Sequence, residues 1–167
     1  MAYTDFEFYA TIYHGNVVPE ADFPRIADRA SDFLDIITFD RLIDGLPDDE
    51  RAKTKVQKAV CAVADEMYKL ELADKQALSA AAGGTSSSTA GGTGGVNAGV
   101  VTSRSAGSES ISYASPSEMA NGAKTWSAVY QAAGNEEATN NLLYNAARLY
   151  LTGVRDDKGV LLLYAGL

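Results

Sequence analysis

The chain changes character abruptly in its middle. Residues 49–81 read as one long amphipathic helix. The sequence then breaks into AAGGTSSSTAGGTGGVNAGVVTSRSAGSES, and helical patterning returns only near Ser115. Of the 28 residues from 82 to 109, 18 are Gly, Ser or Thr and none is aromatic. Such a stretch buries too little apolar surface to offset an ordering cost of about 1–2 kcal/mol per residue. The expected architecture is therefore all-α: one domain over residues 1–167, a small helical bundle around the long central helix. It carries a flexible Gly/Ser-rich arm (82–109) and a C-terminal docking segment (159–167).

The flanking segments fit this frame. Thr4-Asp5-Phe6-Glu7 has the spacing of a capping box, which predicts a short helix ending at Gly15. Asp22 and Pro24 open a second helix whose Phe23, Ile26, Ala27, Ala30, Phe33, Leu34 and Ile37 recur in steps of three and four. Pro47-Asp48-Asp49-Glu50 places acids at the start of the long helix, where the dipole favours them. Its stripe is Val56, Ala59, Val60, Val63, Ala64, Met67 and Leu70. Lys53, Lys55, Lys58, Asp65, Glu66, Lys69 and Glu71 are expected in solvent. Within the arm, Val96, Val100, Val101, Ile111 and Tyr113 form short β-prone pieces around a Ser/Gly turn, a weak hairpin signal needing a partner surface. Ser115-Pro116-Ser117-Glu118 begins a further helical stretch through Trp126 and Tyr130. After Gly134-Asn135 a last helix presents Leu142, Leu143, Ala146, Ala147, Tyr150 and Leu151 on one side.

Charge and reactive residues narrow the function classes. The formal net charge is -8. Residues 1–81 hold 16 acids and 9 bases, residues 82–167 hold 6 and 5. The acidity thus sits in the N-terminal helices and opposes a phosphate-gripping groove, though not the passage of DNA nearby. One cysteine, Cys61, excludes an internal disulfide and fits a reducing cytoplasm; it reads as a small buried hydrophobe. The one histidine, His14, has no Cys/His partners at zinc spacing. The Gly-rich arm lacks the Gly-Lys-Ser/Thr ending of a phosphate loop. No set of acid, base, nucleophile or metal ligands emerges, so the expectation is a non-enzyme with no cofactor. The first ten residues do not read as a signal peptide, and no run is long enough to span a bilayer.

The closing segment, Val160, Leu161, Leu162, Leu163 and Tyr164, is apolar without alternation. Two readings stand. It folds back on its own core, or it is a hook that docks on a neighbouring chain by β-addition. In the second case, removing residues 159–167 would block assembly and leave helicity largely intact.

The stretch ADFPRIADRASDFLDIITFDRL, followed by KTKVQKAVCAVADEM, a polar break, SESISY, LLYNAARLYLTGV and GVLLLYAGL, resembles the head–tail connector (adaptor, head-completion) proteins of tailed bacteriophages and prophages. The chain departs from shorter members in its Gly-rich arm and in residues 116–135. The resemblance implies a virion protein at the head–tail junction, made in the bacterial cytoplasm. It implies a ring of identical subunits, dodecameric in the particle, beneath the portal protein. That ring extends the DNA channel and offers a surface to the next neck or tail component. On that reading Val160, Leu161, Leu162, Leu163 and Tyr164 contact a neighbouring subunit or the portal. Val96, Val100, Val101, Ile111 and Tyr113 order on assembly, and Asp28, Asp32 and Asp35 face the channel. The alternatives are another neck part, such as a head-closure or tail-terminator protein, which would be strand-rich, or a small helical DNA-packaging protein, which the negative charge opposes.

Overall fold

A computed structural model describes residues 2–82, 101–105, 110–113 and 127–163. This part is mostly helical. A three-residue helix α1 (Phe6–Phe8) runs into a π-helical turn (Tyr9–Tyr13). Then follow α2 (Phe23–Thr38), α3 (Glu50–Ala82), the strands β1 (Val101–Ser105) and β2 (Ser110–Tyr113), α4 (Ser127–Ala132) and α5 (Glu136–Leu151). β1 and β2 pair antiparallel, Arg104 opposite Ile111 and Ser105 opposite Ser110. The expected arm residues Val96 and Val100, and the stretch 114–126, lie outside the described residues.

α3 is the central element, packed against α2, α4, α5 and the π-helical turn. Its Val56, Ala59, Val60, Val63 and Ala64 are fully buried. From α2 they meet Phe23, Ile26, Ala27, Ala30 and Leu34; α5 supplies Leu143, Ala147 and Leu151, and α4 supplies Val129 and Ala132. These are the three-and-four steps that put one face of each helix into a shared core. Asp49 caps α3, its Oδ2 accepting from the Ala52 amide at 2.8 Å, and Asn135 caps α5 by accepting from the Ala138 amide at 3.1 Å.

Two local expectations are corrected. The cap of the first helix is Asp5, whose Oδ1 accepts from the Phe8 amide at 2.8 Å. Thr4 turns inward beside Cys61, and its buried hydroxyl reaches no nitrogen or oxygen partner. Thr4 and Asp5 can both cap, and the side chain that fits the core goes in. Secondly, Asp65 is not solvated. It is buried on α3 and faces the N-terminal turn, for a reason that only the tertiary arrangement supplies.

Candidate assembly surfaces

The N-terminal segment is locked to α3 by one polar network. Tyr9 Oη donates to Asp65 Oδ1 at 2.6 Å and accepts from the amides of Val17 and Val18 at 2.9 and 3.0 Å. Tyr13 Oη donates to Asp65 Oδ2 at 3.2 Å. The π-helical turn swings both rings to the same side, and Phe6 and Phe23 pack around Tyr9 with ring centroids 5.8 and 4.7 Å away. His14 closes the turn in the left-handed region (φ 60°). Gly15 follows because a Cβ there would sit 2.1 Å from the Tyr9 ring. Burial raises the Asp65 carboxyl above the usual carboxylate range, against the two tyrosine hydrogen bonds that lower it. Burial likewise pushes Tyr9 up to about 12, with its bond to Asp65 acting in the same direction. The Cys61 thiol is pushed up to about 12, chiefly by burial, so it is a core side chain rather than a nucleophile. Every polar atom of the Tyr9–Asp65 pair is used internally, so the network fastens the fold and offers no open chemistry.

The C-terminal segment folds home. Leu162 donates its amide to Val154 O at 2.9 Å and Asp156 to Val160 O at 2.8 Å, closing a small hairpin whose turn ends at Gly159 (φ 78°). Leu162 and Leu163 are buried in the chain's own core, Leu161 is half-buried and Val160 is 44% exposed. Of the two readings of this segment, Leu162 and Leu163 follow the one in which it folds back on the chain's own core, so they are not open to a partner as the interface reading expected, and Tyr164 lies outside the described residues. The physical reason is that a bundle with a free apolar face buries the nearest apolar segment at about 25 cal/mol per Å². The hairpin is tied down from two sides. Arg41 Nη1 donates to Leu161 O, and the Asp48 amide donates to Asp157 Oδ1 at 2.8 Å.

The three expected channel acids diverge. Asp28 and Asp32 lie exposed on α2. Asp35 does not face solvent freely: its Oδ1 accepts from Tyr3 Oη at 2.6 Å, fastening the N-terminal strand of chain to α2. Of the expected arm residues, Val101, Ile111 and Tyr113 belong to the two strands. On the face of α2 turned to α3, Arg25 donates from Nη1 and Nη2 to both Glu71 oxygens at 2.8 and 2.9 Å, and Arg29 joins the same carboxylate. Hydrogen bonds from Arg25 hold the Glu71 carboxyl below its ordinary range. Sequence periodicity places these residues on outer faces but cannot pair them across helices.

Between the start of α3 and the C-terminal hairpin lies an open groove of about 510 Å³. Pro47, Ala52 and Val154 form apolar lining, and Arg51, Lys55 and Arg155 contribute cations. Its acids are occupied by backbone amides: Asp49 by Ala52, Asp156 by Val160 and Asp157 by Asp48, each at 2.8 Å. The side chains of Arg51 and Lys55 make no hydrogen bond or ion pair among the described residues. Among the described residues there is no group of three or more His, Cys, Asp or Glu placed to hold a metal, and no helix long and apolar enough to cross a membrane. Comparison with protein-family models gives no match, and neither curated proteins nor solved structures give one.

Proposed function

We propose that this chain is a structural protein of the head–tail junction of a tailed phage or prophage particle. It assembles as a ring beneath the portal and extends the DNA channel toward the next neck or tail component. The observation that carries this reading is the overhang of α3. The helix has 33 residues, against 16 each in α2 and α5. At 1.5 Å per residue it is roughly 50 Å long, about twice the length of its partners. Among the residues whose burial is described, its last buried position is Ala73; Asp74, Lys75 and Ala77 beyond it are exposed, and Leu78 is 71% exposed. A helix that outruns its own core gains from neighbours that cover it, and a ring of identical copies supplies them. The motif order from ADFPRIADR to GVLLLYAGL adds the resemblance. An acidic surface carrying Asp28 and Asp32 suits a channel past which DNA slides without sticking.

The docking role expected of the C-terminal segment passes, on this reading, to the exposed surfaces of the bundle, among which Val160 is 44% exposed. The test is electron microscopy of particles from an inducible host with this gene deleted. Heads without tails, beside finished free tails, are expected. Intact tailed particles would refute the assignment.

A further inference from the structure

The N-terminal stretch, residues 2–18, is held to the helices beneath it differently from the way those helices hold one another. Of its residues only Thr4, Tyr9 and Val18 are buried, and Tyr9 is the one large side chain among them that is fully so. Much of what ties it down is polar. Tyr3 donates its amide to Ser31 Oγ at 3.0 Å and its hydroxyl to Asp35 Oδ1 at 2.6 Å. Gln57 Nε2 donates to Tyr3 O at 3.2 Å, and the Tyr9 and Tyr13 hydroxyls donate to Asp65. By contrast, α2, α3 and α5 share one continuous apolar core. A segment with few buried apolar contacts opens at a lower free energy than the core it covers.

The closed arrangement also carries three costs that opening relieves. Thr4 Oγ1 is buried with no nitrogen or oxygen partner. Asp65 is buried, which disfavours its charged form. His14 closes the π-helical turn at φ 60°, in the left-handed region that side chains disfavour. Water satisfies the first two groups once the stretch lifts, and the freed backbone relaxes the third. Pro19, Glu20 and Ala21, which follow, are exposed, so the stretch can lift there while α2 stays packed. Beneath it lies Cys61, fully buried, with Thr4 against its thiol.

We infer that residues 2–18 form a strap that opens as one unit while the body of α2, α3 and α5 stays folded. The Tyr9–Asp65 pair is its latch, and opening gates access to Cys61 and to the face of α3 around it. This device is independent of the particle reading, since it operates within a single chain.

The test is alkylation of the purified full chain by iodoacetamide, read by mass spectrometry; with one cysteine in the sequence, every adduct reports Cys61. Rates are measured from zero urea to the unfolding midpoint and compared with global unfolding followed by circular dichroism. At low urea, labelling is expected to be faster than global unfolding allows and to depend more weakly on urea, because the strap exposes less surface than the whole chain. Amide exchange at Val18, whose N–H donates to Tyr9 Oη, should give the same opening equilibrium. Tyr9→Phe, which keeps the ring and removes the latch, should speed labelling by about tenfold or more, and Tyr13→Phe by less. Leu143→Ala, which empties a buried position on α5, should lower global stability and leave labelling at zero urea unchanged. Labelling that follows global unfolding at every urea concentration overturns the proposal. So does a Tyr9→Phe chain that is folded by circular dichroism and labels like the parent, or a Leu143→Ala chain whose labelling rises in step with its lost stability. Labelling fast enough to need no opening, in parent and variants alike, overturns it too.

Discussion

Replacing Tyr9 by Phe tests the central structural claim, that the Tyr9 hydroxyl is the most heavily bonded polar tie between the N-terminal segment and α3. Tyr9 Oη makes three hydrogen bonds, one to the Asp65 carboxylate and two from the Val17 and Val18 amides. Losing a bond to a charged group costs about 1.5–3 kcal/mol, and leaving a buried amide unpaired costs about 1–3 kcal/mol. Tyr13 still donates to Asp65, and the Val17 amide is only part-buried and can find water, so the losses do not add fully. The expected destabilisation is about 2–4 kcal/mol, or roughly 4–16 °C in Tm for a chain of this length. Tyr13→Phe, which removes a single 3.2 Å bond, should cost less, about 0.5–1.5 kcal/mol.

The pH dependence sharpens this test. The folded-state pKa of Asp65 is raised, so the folded protein holds its proton to higher pH than the unfolded chain does. The stability linked to that proton is fully present below the unfolded pKa and is lost as pH rises through the folded one. The Tyr9 bond opposes the rise, so Tyr9→Phe moves the folded pKa further up. The deficit of the variant should therefore be largest at neutral pH and shrink on acidification, toward the cost of the two amides. Urea unfolding at several pH values, with unchanged m, measures it. A neutral-pH loss under about 0.5 kcal/mol, or a deficit that grows as pH falls, would refute the reasoning.

Three further outcomes are expected. Leu162→Ala empties a fully buried site and should cost about 2–5 kcal/mol in chemical denaturation; truncation before Gly159 should be worse, whereas a detachable hook would leave stability unchanged. Gly15→Ala forces a Cβ into the Tyr9 ring and should cost about 1–3 kcal/mol, read as a lowered Tm. Glu71→Gln should lower Tm by about 1–3 °C at neutral pH. The folded pKa of Glu71 is depressed, so its contribution is present above the unfolded value and is lost as pH falls through the folded one; parent and variant should converge in acid.

The sequence by itself determined the helices and their buried faces. Apolar residues spaced by three and four commit α2, α3 and α5 to a common core, because each stripe is stable only against another. Local chemistry placed the caps at Asp49 and Asn135, where a side-chain oxygen and the amide it serves lie within one turn. Tertiary structure decided everything that joins residues far apart in the chain. Asp65 looks like one more solvated acid on α3 until Tyr9 and Tyr13, more than fifty residues earlier, arrive to hydrogen-bond it. The VLLLY segment reads equally well as a hook or as core, and the choice fell to Val154 and Arg41, which receive it. The groove was invisible for the same reason: Arg51 and Lys55 lie at the start of α3, whereas Arg155 and the far wall come from residues 153–159. Periodicity reports which face of an element is buried, whereas the identity of its neighbour is set by packing among elements that the local pattern does not encode.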